Sequence, residues 1–117
     1  MSFSSKVLPM SDQIPVSLHT ANDIGGALSA SLEQGGLILT EQQLGEDFFN
    51  LRTGLAGELF QKFVNYRARL AIVIPEPGKY GQRFAELAYE HRRHAAVRFF
   101  TSVEDAQRWI QIEIPQA

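Results

Sequence analysis

The fold of this chain depends on the stretch DFFNLRTGLAGELFQKFVNY, Asp47–Tyr66, in which an apolar entry leads into an amphipathic segment. Apolar residues recur there every four positions in two adjacent rows, which are Leu55, Leu59 and Phe63, and then Ala56, Phe60 and Val64. Such spacing is typical of a helix with one apolar face. Glu58 and Lys62 stand on the other face at the i,i+4 spacing of an exposed pair worth ~0.2–0.5 kcal/mol. The pattern predicts a central helix with Phe60 and Phe63 buried and Lys62 exposed.

The start of this helix carries two glycines within one turn. Thr53 is a residue type that caps helices, Gly54 follows it directly, and Gly57 comes one turn later. Each glycine costs roughly 0.5–1 kcal/mol relative to alanine inside a helix, which predicts that a neighbouring strand, or alternatively a ligand, approaches the backbone there. Free N–H groups at a helix start favour anions, and Arg52 adjoins them. The candidate anion site therefore consists of Arg52, Thr53, Gly54, Gly57 and Glu58.

Length and composition bound the class of protein. The 117 residues suffice for one domain with one core, and a content of 44% hydrophobic and 10% aromatic residues excludes a disordered chain. The chain has no cysteine, which excludes disulfides, thiolate nucleophiles and cysteine metal sites. No run reaches the ~18 apolar residues of a membrane helix, and the first 15 residues do not resemble a secretion signal. We expect a soluble cytoplasmic protein with no membrane partner.

Charge is distributed unevenly along the chain. The net charge is −2, yet residues 67–98 carry seven Lys or Arg against three Asp or Glu. These basic residues are scattered over a predicted helix and strand edges. Nucleic-acid-binding domains are usually more basic overall and carry a recognisable module. A solvated surface explains the basic residues, and we expect no nucleic-acid partner.

The other apolar runs alternate between strand and helix patterns. The predicted strands cover residues 14–19, 37–39, 70–74 and 95–100, and the predicted helices fall between and after them. Four βα units in succession imply an α/β fold with a mostly parallel sheet of four to five strands and about four helices. Residues 1–13 are predicted to be an N-terminal arm or an edge strand, and residues 14–117 a single α/β domain.

Residues 47–73, DFFNLRTGLAGELFQKFVNYRARLAIV, resemble a small bacterial family of unknown function, with similarity from about Ile14 to Ile110. More distantly, residues 36–59 resemble the sulfate-transporter and anti-sigma-factor-antagonist (STAS) domain, in which a strand leads to a hydroxyl-bearing turn that opens a helix. The resemblance implies STAS-like βα repeats and a regulatory hydroxyl at Thr53. Leu51 and Arg52 depart from that pattern, because they replace an acidic residue and a first hydroxyl.

Patterns for other chemistry are weak. His91 and His94 lie three residues apart, but no carboxylate stands at a supporting spacing for a metal. The chain contains no serine elbow, phosphate-binding glycine loop or dinucleotide fingerprint. We expect no catalytic residue, metal or cofactor.

Three functions remain open from the sequence. The favoured one is a non-catalytic binding or regulatory module of STAS-like type, with a protein or a small anion as its partner. The second is a small enzyme acting on an anionic molecule at the helix start, which requires Arg52, Thr53 and a carboxylate to converge in a pocket. The third is a self-associating scaffold that uses aromatics such as Phe48, Phe49 or Trp109. A homodimer is expected because only one of the adjacent Phe48 and Phe49 faces the core in that interpretation.

Overall fold

Short apolar runs, each followed by an amphipathic segment, build a parallel sheet. The computed structural model describes residues 16–113, so the predicted arm or edge strand at 1–13 lies outside the described residues. The sheet consists, in spatial order, of β1 (Leu37–Thr40), β2 (Leu70–Val73) and β3 (Val97–Phe100). Both strand pairs are parallel, and β2 is buried along its whole length. A strand covered on both faces is expected to be continuously apolar, as this one is.

Helices cover both faces of the sheet. Within residues 16–113 they are α1 (Ile24–Gln34), α2 (Glu46–Phe49), α3 (Leu55–Asn65), α4 (Gln82–Glu90) and α5 (Val103–Glu113). Helices α1, α3 and α4 share one apolar core with the larger side chains of the sheet, including Leu39, Ile72 and Phe99. Helix α5 lies on the other face, where Trp109 and Ala106 pack against β2. None of the described helices is long and apolar enough to span a bilayer.

The order of the strands determines where the connecting turns meet. Helix α3 connects β1 to β2, and α4 connects β2 to β3. Because parallel crossovers are right-handed, two successive steps in one direction place both connecting helices on the same face. The turns that leave β1 and β2 consequently lie side by side at the carboxyl edge of the sheet. Ligand sites of open α/β sheets lie at this edge.

The described sheet has three strands, whereas the sequence predicted four to five. Of the predicted first strand, residues 14–19, the described residues 16–19 contribute an isolated parallel bridge between Leu18 and Leu44. After Thr40 the chain enters a 3-10 turn, which the side chain of Gln43 closes by accepting a hydrogen bond from the Thr40 N–H at 2.8 Å. Because this turn carries the chain away from the line of β1, pairing with the predicted strand is limited to one bridge.

The predicted face of α3 is confirmed except at one position. Leu59, Phe60 and Phe63 are buried and Lys62 is exposed, but Val64 is 43% exposed. Each step of four residues rotates about 40° round a helix axis, so the last member of a row drifts away from the centre of the buried face. Leu32 of α1, which follows Ile24 and Leu28 at the same four-residue spacing, is 52% exposed for the same reason.

The aromatic residues assigned to a self-associating surface are used inside the domain. Phe48 is fully buried, Trp109 is 5% exposed, and Phe49 is half-buried with its ring against Tyr80. Both neighbouring phenylalanines therefore have intramolecular partners. Neither of them supports the expected homodimer, which remains a prediction.

Truncating a buried residue of α3 should destabilise the domain far more than truncating its exposed neighbour. We expect Phe63→Ala to lower the free energy of unfolding by about 3–5 kcal/mol, because it leaves a cavity beneath the sheet. Lys62→Ala, on the opposite face, should change it by less than about 0.5 kcal/mol. Urea denaturation followed by circular dichroism measures both values, and equal effects would contradict this assignment of the helix face.

Candidate functional site

A cleft of about 600 Å³ opens where the turns after β1 and β2 meet. One wall is the segment from Phe49 to Arg52, which joins α2 to a 3-10 turn. The other wall is the segment from Tyr80 to Phe84, which contains the start of α4. The cleft therefore lies between two βα connections, at the carboxyl edge of the sheet, which is the edge where open α/β sheets bind ligands.

A cluster of aromatic rings holds the two walls together. The rings of Phe49 and Tyr80 stack with centroids 3.8 Å apart and an interplanar angle of 9°. Phe84, which is 1% exposed, meets them edge-on at 5.2 Å and 5.8 Å. Such aromatic pairs contribute about 0.5–1.5 kcal/mol each beyond the burial of their area. Aromatic packing thus fixes the positions of the two walls relative to each other.

Polar contacts at Tyr80 reinforce this packing. The Tyr80 hydroxyl donates a hydrogen bond to the Glu41 carboxylate, and the Lys79 ammonium lies 3.3 Å from the same carboxylate. Burial, together with the bond to Glu41, raises the pKa of Tyr80 to about 12. The bond from Tyr80, with a smaller effect of Lys79, lowers the pKa of Glu41. At neutral pH a neutral phenol therefore joins an ionised carboxylate, and the turn after β2 is tied to the turn after β1.

Two arginines stand on opposite walls of the cleft. Arg52 lies on the first wall and Arg83 on the second, and both are exposed. Neither guanidinium is engaged in an ion pair or a side-chain hydrogen bond with any residue between 16 and 113. Guanidinium groups match carboxylate and phosphate groups in geometry as well as in charge. Both side chains are accordingly available to an anion.

The start of α4 adds further positive potential to the same cleft. Gly81 occupies the N-cap with φ +107° and ψ 160°, a conformation that only glycine adopts readily. No side chain caps the helix, and Gly81, Gln82 and Arg83 all line the cleft. The unpaired N–H groups of a first turn carry partial positive charge. The start of α4 therefore adds partial positive charge to the lining of the cleft.

The structure separates the five residues of the candidate anion site. Arg52 lines the cleft, but Thr53, Gly54, Gly57 and Glu58 do not, although all are exposed. Within the described residues, no group of three or more side chains is arranged to hold a metal ion.

Thr53 has a structural role that differs from the predicted N-cap. Gly54 is the N-cap of α3, because the chain passes from the 3-10 turn into the helix through a left-handed residue with φ +79°. The Thr53 hydroxyl lies 2.5 Å from the Asp47 carbonyl oxygen and 2.9 Å from that of Asn50, and accepts a bond from the Leu55 N–H at 3.2 Å. This side chain joins the end of α2, the 3-10 turn and the start of α3.

The expectation that a neighbouring strand approaches the glycine backbone is wrong for Gly57. A Cβ atom built there meets no atom within 4 Å. Gly54 also has open space around it, but its positive φ explains the residue. Nothing in the structure explains why position 57 is a glycine.

The second wall was missed by the sequence analysis. Tyr80, Gly81 and Arg83 belong to the segment PGKYGQRF, which lies between the predicted strands at 70–74 and 95–100. The available signal was a helix start at which a glycine and an arginine stand close together. The candidate anion site was predicted from the same two residue types, at Arg52 and Gly54.

Comparison with known proteins places the chain in a family. A family profile described as "Domain of unknown function (DUF4180)" matches residues 5–110. The chain belongs to this family. The DUF4180 match includes both walls of the cleft and all three strands. No curated protein and no solved structure matches the chain. The predicted membership of a family of unknown function is thereby confirmed.

Substitution of the two glycines should have opposite effects on stability. We expect Gly57→Ala to raise the free energy of unfolding by about 0.5–1 kcal/mol, since alanine favours the helix and meets no neighbour. Gly54→Ala should lower it by about 1–2 kcal/mol, because a Cβ atom is strained at positive φ. Urea midpoints test both changes. Destabilisation by Gly57→Ala would show that this position is packed in solution.

The bonds of Thr53 also predict an order among its variants. Thr53→Ser should keep the stability of the wild type, and Thr53→Ala should lose about 1 kcal/mol. Thr53→Asp should lose more than Thr53→Ala, because a carboxylate cannot donate to the two carbonyl oxygens that it would face. Thermal unfolding at pH 7 gives the order. A simple N-cap predicts instead that aspartate is neutral or favourable, so an unchanged melting temperature for Thr53→Asp would contradict the geometry.

Proposed function

We propose that this DUF4180 domain is a non-catalytic binding module whose ligand is a small anion held in the cleft between Phe49–Arg52 and Tyr80–Phe84. The observation that carries the proposal is the pair of unengaged guanidinium groups, Arg52 and Arg83, on facing walls. Carboxylates and phosphates are the groups that such a pair recognises.

The size and lining of the cleft favour an organic anion. Its volume of about 600 Å³ lies within the ~300–1,000 Å³ range of small-molecule sites. Phe49, Leu51 and Phe84 supply apolar surface beside the arginines. A ligand with a charged group and an apolar body would use both. Two charge-assisted hydrogen bonds contribute about 1.5–3 kcal/mol each, which corresponds to dissociation constants from about 6 mM to about 40 μM before apolar contacts are added.

The enzyme alternative is less well supported by the cleft. It required Arg52, Thr53 and a carboxylate to converge, but the Thr53 hydroxyl bonds main-chain carbonyls. None of the described residues that line the cleft is Asp, Glu or His. Glu41, the nearby carboxylate, is already bound by Tyr80 and Lys79. The lining supplies cations and apolar surface, which suit binding better than proton transfer.

The STAS-like resemblance supports a regulatory form of the proposal. A strand, a turn that ends at Thr53–Gly54 and helix α3 follow one another, and β3 with α5 closes the domain. The cleft is lined by Asn50, Leu51 and Arg52 of that same turn. A bound anion would therefore change the surface that the turn presents to a protein partner. The expected homodimer remains a prediction, without the support of Phe48 and Phe49.

Titration with chosen anions tests the binding proposal. We expect phenyl phosphate to shift the backbone amide resonances of residues 50–52 and 81–84 at constant ionic strength, with a lower affinity for inorganic phosphate and no shift with benzyl alcohol. Arg52→Ala and Arg83→Ala should each weaken binding at least ten-fold, because each removes about 1.4 kcal/mol or more of charge-assisted bonding.

A matched control separates the cleft from a general effect of charge. Arg93→Ala removes the same charge beyond the opposite end of α4, and Arg93 does not line the cleft. Its affinity for phenyl phosphate should equal that of the wild type. The proposal fails if Arg93→Ala weakens binding as much as the cleft variants, or if neither phenyl phosphate nor inorganic phosphate shifts residues 50–52 and 81–84.

A further inference from the structure

The outer edge of β3 is covered by the segment that follows α4. This segment, His91–Ala96, is here called the edge clasp. Strand β3 bonds β2 on one side, while the N–H and C=O of Val97 and the N–H of Phe99 point to the other. An uncovered strand edge is a template for pairing with another chain, which proteins commonly block with a loop or a charge.

Two histidines make most of the bonds between the edge clasp and the strand. The Nδ1 atom of His94 accepts from the N–H groups of Ala96 at 3.0 Å and Val97 at 3.2 Å. The Nδ1 atom of His91 lies 3.3 Å from the Val97 carbonyl oxygen, and the His91 carbonyl accepts from the Phe99 N–H at 3.3 Å. These bonds satisfy every outward group of Val97.

The bonding partners determine which nitrogen of each ring carries a proton. A carbonyl oxygen only accepts, so the Nδ1 atom of His91 must be protonated to bond Val97. The Nδ1 atom of His94 faces two N–H donors and must be unprotonated. The rings stack with centroids 4.8 Å apart. Only His94 therefore loses its bonds to the strand when it gains a proton.

We infer that the edge clasp is an acid-sensitive lock on the outer edge of β3, released when the Nδ1 atom of His94 is protonated. The added N–H points at two N–H groups, so the bonds to Ala96 and Val97 are lost and the Val97 N–H is exposed, while the bonds that His91 makes to Val97 and Phe99 remain. Acidification favours the released form, since release allows the proton to bind.

The groups packed around the two histidines leave His94 as the residue whose protonation breaks a bond to the strand. Arg98 of β3 donates from Nε to the His94 carbonyl at 2.9 Å and from its terminal nitrogen to the Arg93 carbonyl at 3.0 Å. Helix α3 contributes the Phe60 ring, 4.7 Å from His91, and Glu90 of α4 is the neighbouring carboxylate. Burial is the main cause that lowers the pKa of His91, so that ring stays neutral to a more acidic pH than usual.

Hydrogen exchange at individual amides tests the lock. After correction for the intrinsic pH dependence of exchange, we expect protection of the Val97 amide to fall at least ten-fold between pH 7 and pH 5.5. His94→Asn supplies an acceptor that does not titrate, and its Val97 protection should not change over this range. His94→Ala should leave Val97 weakly protected at both pH values. The amide of Ile72, in the central strand, should keep constant protection in all three proteins.

The outcomes either support or overturn the lock. The lock is overturned if protection of the Val97 amide stays constant between pH 7 and pH 5.5 in the wild type. It is also overturned if this protection falls equally in His94→Asn. A parallel fall at Ile72 also overturns it, because the acid effect would then be global unfolding. If His94→Asn fails to fold, the comparison of Val97 with Ile72 in the wild type decides alone. Sedimentation at pH 5.5 then shows whether the exposed edge pairs two copies, a separate question from its release.

Discussion

A four-residue strand with partners on both edges and cover on both faces constrains the whole domain. Strand β2 is the only described strand that pairs twice, and each of its residues is buried. Its larger side chains, Leu70 and Ile72, lie in the core under α1, α3 and α4, whereas Ala71 and Val73 meet α5. Parallel pairing on both sides requires a crossover into β2 and another out of it. The cleft at the carboxyl edge is a geometric result of those two crossovers.

Local features of the structure were predictable because they depend on spacing within a few residues. The buried face of α3 and the three strands follow from periodicity and from residue type. The errors arose where position in three dimensions decides the outcome. Val64 and Leu32 have the right spacing but lie past the edge of the buried face. The segment predicted as a strand at 14–19 has the composition of a strand. After Thr40, however, the chain enters a 3-10 turn, and the described part of the segment forms a bridge with it at Leu18 and Leu44.

Only one of the two arginines of the candidate site could be predicted, because their closeness also depends on position in three dimensions. Arg52 was identified from its own helix start, which is a local signal. Arg83 shares the cleft with it because β1 and β2 are neighbours, and no local pattern states which strands will be adjacent. Thr53 shows a different limit, since the residue type suits an N-cap but the left-handed backbone at Gly54 takes that position. Threonine does favour helix starts, but the backbone conformation at Gly54 determines which residue is the N-cap of α3.

Helix α4 has one end in the cleft and the other in the edge clasp. Its nine residues span roughly 13 Å as a straight helix. The first end carries cations that keep their charge throughout the neutral range, and the second adjoins the two stacked imidazole rings. Helix α4 thus connects the proposed anion site to the proposed acid-sensitive edge clasp. If ligand binding tilts α4, it changes the free energy of protonation in the edge clasp by the same amount that protonation changes the free energy of ligand binding.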